Sequence, residues 1–145
     1  MKAIVVSIVL MVFLNACKHQ KTDPVDQSPI TIEEFACEGS CPVYSLTIYR
    51  DGKSDYKGIN HVNVYGEDHY DYDQKDMDEL FKMISGLDFA NFEDLYDSLI
   101  ADLPETVITY NGKRIVMKDI RNVPEDLKEL TTAMQALARR TGFIN

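Results

Sequence analysis

Residues 43–50, VYSLTIYR, alternate strictly, with Tyr44, Leu46 and Ile48 on one side and Ser45, Thr47 and Tyr49 on the other, and Asp51-Gly52 ends the run. A period of two is the signature of a strand buried on one face. Because a slip of one residue would turn every side chain to the wrong face, the alternation also dictates how the next strand pairs. A two-residue loop sets Ile48 opposite Asp55 on the buried face. A three-residue loop, Arg50-Asp51-Gly52 with Gly52 left-handed, instead sets Ile48 opposite Ser54 and Leu46 opposite Tyr56. The second keeps charge out of the core and leaves Lys53, Asp55 and Lys57 in water beside Thr47 and Tyr49. An antiparallel sheet with one wet face is therefore the framework.

The other elements extend it. Residues 30–32 form a short first strand. Residues 61–65 and 68–72 form a hairpin about Gly66, with Val64 facing Tyr70; His61, Asn63, Tyr65, His69 and Asp71 then lie on the solvated face, and Tyr44, Tyr56, Tyr70 and Tyr72 in the core. Asp73 caps a helix carrying Met77, Leu80, Phe81, Ile84 and Leu87 at helical spacing, with Gly86 as its left-handed stop. Residues 88–100, with Phe89, Phe92, Leu95 and Tyr96 three and four apart, read as a short helix or turn. After the break at Asp102-Leu103-Pro104, Asn111-Gly112 joins a hairpin that pairs Ile108 with Ile115 and Thr106 with Met117. A last helix starts at Pro124, buries Leu127, Leu130, Met134, Leu137 and Ala138, and ends through Arg139-Arg140 at Gly142. The expected fold is α+β: one domain over residues 30–145, an antiparallel sheet of four to six strands arranged as a meander plus a hairpin, and two amphipathic helices on one face.

What precedes residue 30 is different. Met1-Lys2 and the apolar run 3–14 have the layout of a signal peptide, and the run is shorter than the roughly 20 residues a transmembrane helix needs. Leu14-Asn15-Ala16-Cys17 resembles the bacterial lipobox, which implies cleavage after residue 16, a thioether-linked diacylglycerol on Cys17 and stable membrane anchoring by more than one acyl chain. Lys18 stands where an Asp would signal inner-membrane retention in that class, so the outer membrane is expected. Residues 17–29, polar and holding two prolines, make a lipidated tether of at most ~40 Å.

Charge narrows the partners. The formal net charge is −9, and loss of residues 1–16 removes one base, Lys2, and no acid. Such a surface repels polyanions, and no basic stripe interrupts it, so nucleic acid is not expected.

With Cys17 committed to lipid, Cys37 and Cys41 remain, in an oxidising compartment. They read as a structural disulfide, as a redox pair, or as zinc ligands with His61 or His69. The even count favours the first reading, and the C-x-x-x-C spacing leading into proline and a strand offers no helix N-terminus to stabilise a thiolate. His61, His69 and Asp71 are the candidate set for a divalent ion on the outer face, although the acidic stretch around them carries no calcium-loop motif and suits a solvated hairpin tip. Gly39-Ser40-Cys41 lacks the flanks of a nucleophile elbow. No catalytic residue and no cofactor is expected. Exposed tyrosines favour contact surfaces, so the candidate binding surface is Thr47, Tyr49, Tyr65 and His69.

Taken together, Cys37-Glu-Gly-Ser-Cys41-Pro42-x-Tyr44-Ser45, Ile48, Asp51-Gly52, Tyr56-x-Gly58 and Asp102-Leu-Pro104 resemble an uncharacterised family of bacterial exported domains, known by a domain-of-unknown-function label and common on lipoproteins. The resemblance covers residue 30 onward. It implies one compact α+β domain and carries no activity, ligand or catalytic residue. The expected function is a lipid-anchored envelope lipoprotein whose head binds a protein or glycan without catalysis. Alternatives are a redox or metal-dependent envelope enzyme, or a metal-binding or sensing module.

Overall fold

The computed structural model describes residues 27–97, 99 and 103–145. The expected signal peptide, most of the tether with Cys17, and Asp102 lie outside the described residues. Within them the first strand, β1 (Ile30–Glu34), is not peripheral: it runs between β2 (Val43–Ile48) and β6 (Thr106–Tyr110) and pairs antiparallel with both. β1 thereby fuses the two hairpin systems into one sheet. On one side β2 leads to β3 (Lys53–Asn60) and β4 (Gly66–Asp71); on the other β6 leads to β7 (Lys113–Met117) and then β5 (Leu95–Tyr96). The described residues thus form a seven-stranded sheet in the order β4-β3-β2-β1-β6-β7-β5, and the single domain is α+β as expected.

Seven strands exceed the four to six expected, and the sheet is mostly, not wholly, antiparallel. The extra strand, β5, runs parallel to β7. It is two residues long, too short to show alternation, and is held by backbone bonds from Val116 N to Asp94 O and from Lys118 N to Tyr96 O. Before it, the short helix or turn expected in this stretch is a 3-10 turn at Phe89–Asn91, with Phe89 buried.

Both glycine-bearing hairpins have the register argued from charge and apolar pattern. Ile48 faces Ser54 and Leu46 faces Tyr56, with Gly52 at φ 93° closing the three-residue loop. Ile108 faces Ile115 and Thr106 faces Met117, with Asn111 and Gly112 both at positive φ.

The hairpin expected at residues 61–65 is overturned. β3 runs on to Asn60, and β4 pairs with β3, Ser54 opposite Tyr70 and Gly58 opposite Gly66, so Val64 does not face Tyr70. Residues 61–65 form the connecting loop, because the C-terminal segment takes up Asn63: its backbone N donates to Phe143 O at 2.9 Å and its side-chain Nδ2 to Gly142 O at 3.2 Å. Phe143 stacks on Tyr56 at 4.0 Å, and Tyr56 Oη donates to Val64 O and Phe143 O. Tyr70 is on the core side of β4 by register yet 42% exposed, since an edge strand outruns the helical cover.

Helices α1 (Gln74–Ser85) and α2 (Glu125–Arg140) supply that cover. Met77, Leu80, Phe81 and Ile84 of α1 and Leu127, Leu130, Met134, Leu137 and Ala138 of α2 join the inner face of the sheet in one core. Asp73 is the N-cap residue of α1, but Gly86 is right-handed (φ −81°), not the left-handed stop expected; the chain continues through another turn, Leu87 N bonding Ile84 O. Gly142, at φ 78°, does end α2 that way. Among the described residues no helix is long and apolar enough to cross a membrane.

Candidate functional site

Two regions concentrate polar chemistry, one on each side of the sheet. On the outer face, which the helices leave bare, register lines up His69, Asp55, Thr47 and Thr31 across β4, β3, β2 and β1. Asp55 is the hub. Tyr49 Oη donates to its Oδ2 at 2.8 Å, His69 Nδ1 lies 2.9 Å from its Oδ1, and Thr31 and Thr47 share a hydroxyl bond at 2.9 Å. The concavity here is about 370 Å³, walled by Ser45, Thr47, Lys57, Glu67 and His69. Opposite charges face each other across β3 and β4, Lys53 with Asp71 and Lys57 with Glu67. Thr47, Tyr49 and His69 are thus together as the sequence placed them. Tyr65 is not with them. It is 65% exposed in the loop beside Gly66, at the far end of β3 from Tyr49.

The metal set is dispersed. His61 (φ 52°) lies in that same loop, whereas Asp71 pairs with Lys53 at the other end of β4. Among the described residues no three His, Cys, Asp or Glu side chains converge as metal ligands. Cys37 and Cys41 are joined by a disulfide across a loop of exposed residues. Both the structural and the redox reading contain that bond.

The second region went unseen in the sequence. Glu34, the last residue of β1, points to the helix side and is only 9% exposed. Thr106 Oγ1 on β6 donates to its Oε2 at 2.7 Å, and Gln135 Nε2 on α2 donates to its Oε1 at 2.6 Å. Burial pushes the Glu34 carboxyl above its usual range, against these two hydrogen bonds and the more distant positive charge of Arg139, which pull it down. Cross-strand from it sits Tyr44, 1% exposed, whose Oη has no hydrogen-bond partner among the described residues; burial, then the Glu34 charge, raises its phenol strongly. Glu34 lines a cavity of about 580 Å³ between α2 and the ends of β6 and β7. Asp119, 6% exposed, is on the same wall and accepts from the backbone N, Nε and Nη2 of Arg121. One signal could have revealed Glu34. Two consecutive glutamates in a strand cannot both face water, and with Ile30 and Ile32 inward the period of two sends Glu34 inward as well.

The motif glycines have structural reasons. At Gly58 a Cβ would meet Val64 O at 1.9 Å, and at Gly52 it would meet Tyr72 O at 2.6 Å, so both sites require bare backbone.

These features define a two-layer α+β domain with a disulfide-closed loop, a bare polar sheet face and an acid-floored cavity under α2. The chain belongs to the family described as a domain of unknown function, DUF6438, whose model matches residues 28–138. No curated protein and no solved structure matches it.

Proposed function

We propose that this chain is a lipoprotein of the bacterial envelope, anchored through Cys17 to the membrane, by preference the outer one, and that its head is a non-catalytic module binding an envelope protein or glycan. The anchoring half rests on the signal-like run 3–14 and the lipobox-like Leu14-Asn15-Ala16-Cys17. The binding half rests on one observation: the outer face of β2, β3 and β4 is uncovered, and its groups are already oriented by Asp55, which fixes Tyr49 and His69 at 2.8 and 2.9 Å. A hydroxyl-rich surface whose charges face each other across strands offers hydrogen bonds to a polar partner without a large desolvation cost.

Photo-crosslinking from within the face tests this. A photoreactive residue replacing Tyr49 in the full chain, displayed in the envelope, is expected to give a discrete adduct. The same residue replacing Glu79, on the exposed side of α1, is not. Equal labelling from both positions, or none from Tyr49, contradicts the reading.

A further inference from the structure

The cavity under α2 holds a buried acid that has no counter-ion among the described residues. A carboxylate accepts about four hydrogen bonds, and Glu34 receives two, from Thr106 Oγ1 and Gln135 Nε2. Asp119, on the same wall, is matched by the Arg121 guanidinium at 2.6 Å. For Glu34, among the described residues, no Lys, Arg or His nitrogen comes within ion-pair distance, and Arg139 acts on it only from further away. Taking a carboxylate out of water without a paired charge is costly, and the cost is relieved by whatever cation enters beside it. The two basic residues of the wall, Lys118 and Arg121, are paired with Asp97 and Asp119, and Leu103, Met117 and Ile120 add an apolar stretch beside them. At about 580 Å³ the space is within the range of small-molecule sites.

We propose that this cavity binds a small organic cation, a primary ammonium on a short apolar body. The ammonium donates to the free lone pairs of Glu34, and the hydrocarbon lies along Met117 and Ile120. The net charge of −9 draws cations toward the surface at large, and the buried acid selects the one whose N–H groups reach it. A bare metal ion fits less well, because the second carboxylate on the wall, Asp119, is already held by Arg121, and among the described residues no three His, Cys, Asp or Glu side chains converge. The cavity is on the helix side, away from the outer sheet face, so it stands independently of the binding role proposed for that face.

The test uses the full chain in detergent micelles, titrated with butylammonium and, separately, with 1-butanol, while the amide signals of Thr106, Thr131 and the Gln135 side chain are followed by NMR. Saturable shifts with butylammonium but not with butanol are expected. Glu34→Gln is expected to weaken binding by about tenfold or more, the scale of one charge-assisted hydrogen bond. Should that variant not fold, Thr132→Phe, at an exposed position of α2 on the cavity wall, is expected to abolish the shifts by filling the space. Absence of saturable shifts in the native chain, equal response to butanol, or undiminished binding in either variant overturns the proposal.

Discussion

Gln135 on α2 donates from Nε2 to Oε1 of Glu34 on β1 at 2.6 Å, joining residues 101 positions apart. That bond ties the last helix to the central strand of the sheet. The carboxyl it holds is only 9% exposed, so the ionisation of Glu34 is coupled to folding.

The carboxyl is raised in the folded protein relative to the unfolded chain, chiefly by burial. The folded state therefore holds the proton more tightly, and this group's contribution is most favourable below the unfolded value and is lost as pH rises toward and through the folded one. Glu34→Gln removes the ionisation and keeps the shape. Urea unfolding between about pH 4 and pH 8 should show the variant gaining on the native chain as pH rises. A constant difference would contradict it.

The C-terminal segment locks the 61–65 loop. Phe143, 3% exposed, stacks on Tyr56 at 4.0 Å, and its carbonyl accepts from Asn63 N. Phe143→Ala is expected to cost about 3–5 kcal/mol. Hydrogen exchange should show the Asn63 amide losing protection with the ring, while amides of the β6–β7 hairpin keep theirs relative to global stability.

Gly58 and Gly112 should respond very differently to alanine. The added Cβ at Gly58 runs into main chain at 1.9 Å, which no rotamer change relieves, and a loss of about 3 kcal/mol or more is expected. Gly112, at φ 77° with open space around it, should lose only about 1–2 kcal/mol for its left-handed backbone. Denaturant midpoints of the two variants check the order.

The Cys37–Cys41 bridge closes a short loop, so it restricts the unfolded chain little and should contribute about 2 kcal/mol. Replacing both cysteines by alanine, or reducing the native chain, should shift the unfolding midpoint by that amount and leave the fold intact. Crosslinking from Tyr49 that persists in the double variant supports a structural bridge, and its loss would favour the redox reading.

Legibility in the sequence followed the range of the forces involved. The Ile48 to Ser54 and Ile108 to Ile115 registers could be read because turn chemistry and alternation act within a few residues. Both amphipathic helices could be read for the same reason. Residues 61–65 could not. Val62 and Val64 alternate as a strand would, but the loop's partners lie in the distant C-terminal segment, where Phe143 O accepts from Asn63 N and Val64 N and Gly142 O from the Asn63 side chain. β5 left no pattern because two residues carry none. The outer cluster of Thr47, Tyr49 and His69 was visible through alternation. Glu34 was missed by ending the first strand at Ile32 when the ladder continues through two more residues.

Anchoring at Cys17 is the claim on which both localisation and tether depend. Intact-mass spectrometry of the chain recovered from the membrane fraction of cells reads it directly. The expected species starts at Cys17 and carries diacylglyceryl and further acyl mass; a chain that retains residues 1–16, or one recovered from the soluble fraction with an unmodified Cys17, would contradict it.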